Sequence, residues 1–460
     1  MANSLRTYLK DIQSKTLTIK KEVDPKTQLG DLVSQSDCPL LFENIKGYPG
    51  WRICDLLVKT RETQAIALKT TPDQIIPELA RRLNKGPGKV RMVKTGPVKA
   101  KILKGKKADL NRIPFCLHTP GDGGLYIGSG MCVVRDPDTG IQNVSMHRIH
   151  IKGPRRAAVH IFSPHSKCII QKYHEKGAPA PMAVVIGHHP CFEIATNYFG
   201  PHDTYSEHEL AGSLLNETIE LVKCEMSDIT VPAHAEIVLE GELVPGLMED
   251  EGPFCEFHGI YTSGVAKKPA LDIKAITMRE DAIFRHLNAT PLTDHQRIFC
   301  LPAEARLYDQ LKRKGIDVRD VFIPPWGGLF VVIIKMVPQV EEQVRDVLLT
   351  TLYSPALIFS KIAIAVDEDI EVTNAEEIFY SLGVRMNPQT DLVHIERTLG
   401  LPYDLSLPEL PGAPPLRVGG KLGIDATKPS LTKKALRSQL ERVNPQGWGK
   451  VLLKDFLGKG

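Results

Sequence analysis

The segment MEDEGPFCEFHG, residues 248–259, is the part of the chain best equipped to move protons. Four acids, Glu249, Asp250, Glu251 and Glu256, fall within eight positions. A solvated acidic turn would show the same composition. The flanking Phe254, Cys255 and Phe257 argue for more than a turn. A carboxylate set among apolar groups incurs a desolvation penalty that raises its pKa, which suits an acid that keeps its proton near neutral pH. Glu251 and Glu256 would face opposite sides of a flat strand, but a bend at Gly252-Pro253 brings both into one site. A second segment, NVSMHRIHIKGPRRAAVHIFSPH at 143–165, carries Asn143, Ser145, His147 and Arg148 too closely placed for a simple core face. Arg148 offers a guanidinium that matches a carboxylate in bidentate geometry, either a substrate's or a structural partner's. Asn143, His165 and Glu207 together supply an amide oxygen, an imidazole nitrogen and a carboxylate. That mixture suits Mn2+ or Mg2+ sharing coordination with a phosphate better than a structural zinc, although the spacing alone carries no signature.

Other chemistries lack their residues. There is no Gly-x-Gly-x-x-Gly after a strand, no phosphate-cradling Walker loop, no H-E-x-x-H and no G-x-S-x-G elbow. Nine scattered cysteines form no C-x-x-C pair, which excludes a disulfide scaffold and a cysteine-rich zinc module. The net charge of +4 makes no global demand for nucleic acid. The basic run from Arg81 to Arg112 has no aromatic residues to stack bases and reads as a solvated connector. The N-terminus mixes charges throughout, and the longest apolar run, 329–334, is far too short for a bilayer. A cytoplasmic protein with no membrane partner is expected. Of 15 histidines, 14 lie between His118 and His295, which marks that region for chemistry.

The elements that must position these groups follow from pattern. With 42% hydrophobic residues over 460 positions, two to four domains with real cores are expected. Residues 1–107 read as an α/β unit, with Ser4 capping a helix through Ile12 and a helix starting at Thr71-Pro72-Asp73. Residues 108–301 read as many short strands, a barrel or sandwich, interrupted by a helix at Ser206 with Glu209 completing a capping box. Residues 302–428 alternate helix and strand, beginning with a helix near Pro302. Residues 429–460 hold a last amphipathic helix, LTKKALRSQLERV, which docks on another subunit or on its own chain.

Six motifs in order make the sequence resemble the UbiD family of reversible decarboxylases. They are NVSMHR at 143–148, SPH at 163–165, Ser206-Glu207 followed by ELVKC at 220–224, EGPFCE at 251–256, VDEDIEV at 366–372 and GGKLGIDAT at 419–427. The resemblance spans about residues 100–430. It implies an α+β fold: the N-terminal α/β unit, a central split β-barrel that binds prenylated FMN, and a C-terminal α/β domain with a terminal helix packed across a homodimer. It implies decarboxylation of an aromatic or heteroaromatic carboxylic acid through a covalent adduct with that cofactor, which a flavin prenyltransferase supplies. Arg148 would hold the substrate carboxylate. Glu256 would protonate the carbon vacated by CO2. Glu251 would pair with Arg148 and tune both. Asn143, His165 and Glu207 would hold Mn2+ or Mg2+ against the flavin phosphate, with K+ nearby. Ser145, Met146, His147, Arg148 and Pro164 would line the cofactor, and Lys361, or else Lys421, would meet the phosphate. His147, Cys255 and Asp250 depart from the commoner family residues. These departures leave every catalytic group in place but bear on pocket shape.

In the family the segment FRHLNATPLTDHQR lies near the pocket. Its Arg285, His286, His295 and Arg297 give a high donor density, with His286 and Arg297 as the substrate contacts. That favours a furan, pyrrole or hydroxybenzoate acid over a plain cinnamate. Two rivals stand beside this reading: a conventional FMN oxidoreductase, for which no NAD(P) fingerprint is present, and a partner-dependent carboxylase subunit, against which intact Arg148, Glu251 and Glu256 argue.

Overall fold

Ser4 accepts a hydrogen bond from the Thr7 backbone and starts the helix Leu5–Asp11, one residue shorter than expected. In the computed structural model, which describes residues 3–200, 204–443, 445–446, 450–452 and 455–456, local signals of this kind set most helix starts. Thr71-Pro72-Asp73 opens a 3-10 turn, Pro72–Gln74, before the helix Ile75–Asn84. Ser206 and Glu209 form the expected capping box at the helix Glu207–Leu215. Asn374 caps the helix Ala375–Arg385.

The architecture is mixed α+β, built on four sheets among the described residues. The N-terminal sheet runs Leu17–Ile19, Leu40–Phe42, Arg52–Asp55 and Ile283–Arg285. Its last strand therefore arrives from far beyond residue 107, and pairs in parallel with Arg52–Asp55. The central sheet has nine strands and is open; no closed barrel is present among the described residues. Its longest pair, Ile237–Glu251 against Ala266–Met278, is antiparallel and ends at Glu251. The strand Ala180–Ile186 shows why this sheet reads as continuous apolar runs. Met182, Val184 and Ile186 pack into one core, while Ala183 and Val185 pack into another with Leu210 and Leu214. A sheet covered on both faces has no polar side to alternate with.

The helix expected at Pro302 starts two turns earlier. It spans Asp294–Arg313 with Thr293 at its N-cap and Pro302 inside. Ile298, Leu301 and Ala305 recur at helical spacing and are buried on one face, and this packing outweighs the hydrogen bond that Pro302 cannot donate. After it, a five-stranded sheet runs Val318–Phe322, Val331–Met336, Ile362–Val366, Arg417–Ala426 and Leu392–Gly400.

The final helix is shorter than the sequence suggested. Only Lys434–Gln439 is α-helical. Arg437 anchors it to its own chain through two hydrogen bonds to Asp367, at 2.7 and 2.9 Å. The rest of the expected terminal element lies partly outside the described residues. All nine cysteines are free thiols. Among the described residues no helix is long and apolar enough to cross a membrane.

Candidate active site

Gln142–Met146 and Arg148–Gly153 are consecutive strands, and they carry the polar motif into the wall of a cavity of about 450 Å3. Asn143, Ser145 and His147 share a face, as alternate residues of extended chain must. Their side chains form one chain of contacts. The Asn143 amide donates to Ser145 Oγ at 3.2 Å and to Ser166 Oγ at 2.9 Å. That uses its nitrogen and leaves Oδ1 outside the network. The Phe162 backbone donates to His147 Nδ1, so Nε2 carries the proton toward Ser145 Oγ at 3.0 Å. Burial pushes the His147 imidazole down to about 3, so it stays neutral.

Glu207 opens its helix and faces the same cavity as Asn143 and His165. The Val144 backbone donates to its Oε2 at 2.6 Å. Burial still pushes its carboxyl up to about 8. A carboxylate so placed calls for a proton or a cation. Amide, imidazole and carboxylate on one wall make a donor set that fits a hard divalent ion completed by ligands from outside the protein.

Further along, Arg148 is held between two acids. Its Nε and Nη2 make a bidentate pair with Glu251 at 2.9 and 3.0 Å, and Nη1 donates to Glu256 Oε1. The guanidinium lies over the Phe254 ring, 4.8 Å from its centroid. Tyr126 donates to Glu251 Oε1 at 3.2 Å, and His160 Nδ1 stands 3.4 Å from Oε2. The environments drive the two acids apart. Burial pushes Glu251 up, but hydrogen bonds from His160 and Arg148 and the guanidinium charge outweigh it and hold the carboxyl down at about 2. For Glu256 burial wins over the Arg148 charge, the Glu251 charge adds to it, and the pKa is raised. Two carboxyls pushed apart in this way are suited to different proton roles in a single site.

The bend that joins them works as the sequence suggested. Gly252 has φ of +95°, followed by a cis bond to Pro253, and a Cβ there would stand 2.5 Å from Gly264 O. Gly252→Ala is expected to cost about 1–3 kcal/mol through strain and clash, read as a lower midpoint in chemical denaturation. An unchanged midpoint would show that the bend is not needed.

Three family profiles match the chain in order. They are described as the N-terminal domain (residues 11–83), the Rift-related domain (90–291) and the C-terminal domain (296–426) of 3-octaprenyl-4-hydroxybenzoate carboxy-lyase. The chain belongs to the UbiD family. Its sequence is 30% identical to the anhydromevalonate phosphate decarboxylase of Methanothermobacter thermautotrophicus, over 92% of this chain and 97% of that one. It is also 30% identical to a phenolic acid decarboxylase of Bacillus subtilis, over 91% and 90%. The UbiD-class enzyme HmfF of Pelotomaculum thermopropionicum, solved with FMN, superposes with a TM-score of 0.90 at 30% identity, over 99% of this chain and 100% of that one. An evolved dimeric form of the same enzyme, solved with prFMN, gives 0.87 at 30% identity, over the same shares. The UbiD membership makes this chain a carboxy-lyase.

Most residues expected from the UbiD resemblance meet in the cavity. Asn143, Ser145, Met146, His147 and Arg148 line it, as do Pro164, His165, Glu207 and Glu256. Glu251 stands behind Arg148. Four others do not line it. Lys361 Nζ is bonded to Asp404 at 2.8 Å and Ser406 at 2.9 Å, and Lys421 Nζ to Leu352 O at 2.5 Å. Arg297 is fully engaged with Glu304 and Ile323 O, and His286 Nδ1 lies 2.6 Å from Asp55. The donors counted as spare in the sequence are consumed by acids that pack against them. Of that segment only His295 reaches the cavity.

His160, Phe299, Phe359, Tyr403 and Arg306 line the cavity without having been anticipated. His160 had a readable signal. It pairs directly with Arg148 across the hairpin turned at 153–156, which puts both side chains on one face. The aromatic wall comes from distant elements and had none.

Proposed function

We propose that this chain catalyses the reversible, non-oxidative decarboxylation of an aromatic or heteroaromatic carboxylic acid. The observation that carries the reading is Arg148, shared on the cavity wall between Glu251, whose pKa is held down, and Glu256, whose pKa burial raises. When bound, prenylated FMN supplies the sink for the electron pair left by departing CO2. The residues of the chain do the rest. Arg148 orients the substrate carboxylate. Glu256 gives its proton to the carbon that CO2 leaves, and in the carboxylation direction takes it back. Glu251, held by Arg148, Tyr126 and His160, keeps the guanidinium in register. Asn143, His165 and Glu207 would hold Mn2+ or Mg2+ at the flavin phosphate, with K+ close by. The ring wall supports a flat substrate: Phe257 stacks on Phe299 at 5.8 Å, and Phe359 meets Phe299 edge-on at 5.5 Å. Such a wall accepts an aromatic face by offset and edge contacts. A homodimer in the cytoplasm, supplied by a flavin prenyltransferase, completes the proposal.

The test is co-expression with a flavin prenyltransferase, a visible spectrum of the purified protein, and a screen of furan, pyrrole and hydroxybenzoate acids for CO2 release. Bound cofactor with no CO2 from any acid would overturn the reading.

The pH dependence has a definite sign. Glu256 must be protonated to act, so kcat for decarboxylation is highest below its raised pKa and falls as pH rises through it. Glu251 stays ionised down to about 2 and adds no acidic limb in the working range. A kcat profile that climbs steadily from pH 6 to 9 would contradict Glu256 as the acid.

A further inference from the structure

Beside the proposed metal ions, the flavin phosphate would take a cationic side chain, and the lysines expected for it lie elsewhere. A phosphate monoester brings a charge near −2. The two lysines expected to meet it are bonded elsewhere and do not line the cavity. Two guanidiniums do line it. Arg148 pairs with Glu251 and Glu256 and stands at the proton-handling end. Arg306 is half-buried, lies over the Tyr198 ring at 5.6 Å, and has no acid or hydrogen-bond partner among the described residues.

Two rulers place Arg306 within the cavity. Along the strands, Arg148 lies five residues beyond Asn143, up to about 16 Å in extended chain. The proton-handling end and the Asn143 end are therefore well separated. Along the helix Asp294–Arg313, His295, Phe299 and Arg306 follow at i, i+4 and i+11, so one face runs beside the cavity. His295 touches Phe257, next to Glu256, at 5.3 Å. Arg306 comes about 16 Å further on, at 1.5 Å per residue. Its neighbour Tyr198 is at the Glu207 end: it packs, with Tyr205, against the same core cluster as Leu210 and Leu214 of the helix that Glu207 opens. The helix thus spans the cavity from Glu256 to the proposed metal ligands, and Arg306 sits at the latter.

Resting on the flavin reading, we infer that Arg306 is the residue that receives the phosphate of the bound flavin. Its planar fork of donors matches phosphate oxygens in pairs, which a lysine cannot do. The rival source of an anion at this place is a second acidic group on the substrate.

Binding of FMN and of riboflavin, which differ by the phosphate alone, separates the cases. Flavin fluorescence quenching by the full-length protein with Mn2+ reads both affinities. Arg306→Gln is expected to weaken FMN roughly 10- to 100-fold, the range of a lost charge-assisted contact, and to leave riboflavin unchanged. Arg306→Lys is expected to recover part of the FMN affinity. Equal FMN affinity in wild type and Arg306→Gln overturns the assignment and leaves the flavin site standing. So does FMN binding that is unchanged while KM rises only for acids with a second anionic group. Equal loss of FMN and riboflavin, with no recovery in Arg306→Lys, marks a structural role and also overturns it. Wild-type protein that binds neither flavin overturns both this assignment and the reading beneath it.

Discussion

Glu256→Gln is expected to lower kcat for decarboxylation by about 10²- to 10⁴-fold, the span of a lost general acid, with flavin content unchanged. Glutamine keeps the size of the side chain and an oxygen for the Arg148 Nη1 bond. The bidentate Arg148–Glu251 pair is independent of that oxygen, so substrate orientation survives. Only the transferable proton is removed. Single-turnover CO2 release and exchange of deuterium into the product read the two halves of the reaction separately. CO2 release that persists with product exchange abolished is the signature of a missing proton donor. Full turnover in the variant refutes the acid role outright.

Arg285→Met is expected to destabilise the fold by about 3–5 kcal/mol, the cost of breaking a buried ion pair by removing one partner. Arg285 is fully buried and bonds Glu193 at 3.0 and 3.2 Å, Asp294 at 2.8 Å and Asp55 at 3.4 Å. One guanidinium serves three carboxyls that are themselves fully buried. Burial, only partly offset by Arg285, already raises all three, Asp55 to about 7. Without the cation they rise further. An acid whose folded-state pKa exceeds its unfolded value binds more protons when folded, so its contribution to stability is lost as pH rises. The deficit of Arg285→Met should therefore grow between pH 5.5 and 8 in urea denaturation. A deficit that is the same at both values would mean that these carboxyls stay paired by other means.

These two cases show what was legible in the chain. Glu251, Glu256 and Arg148 could be read because their meeting depends on a short bend and on a motif of residue types that chemistry restricts. Arg285, His286 and Arg297 were misjudged because charge balance is a property of packing. Asp55 and Glu193 come from other elements, and Glu304 lies two turns on from Arg297 along its own helix, outside the segment 284–297. Lys361 fails for the same reason, since Asp404 lies 43 residues on. Ser4 and Ser206 marked their helix starts correctly because a cap is a local hydrogen bond. Pro302 misled because its local cost was outweighed by Ile298, Leu301 and Ala305 in the core. The histidine-rich region contributes much of the cavity lining, but only some of its histidines take part. Many of its imidazoles, His118, His188, His189 and His208 among them, are buried and neutral, and belong to the core.

The strand Ile283–Arg285 has a consequence for how this protein is made. Asp55, in the N-terminal sheet, and Arg285, which completes that sheet and neutralises it, are 230 residues apart in the chain. A ribosome adding about 5–20 residues per second leaves the first three strands without their fourth for about 12–46 s. Through that interval the nascent sheet carries an open edge and an uncompensated acid. Assembly order is thereby written into the topology: the N-terminal unit is translated first and finished late, when the strands of the nine-stranded sheet are already out of the exit tunnel.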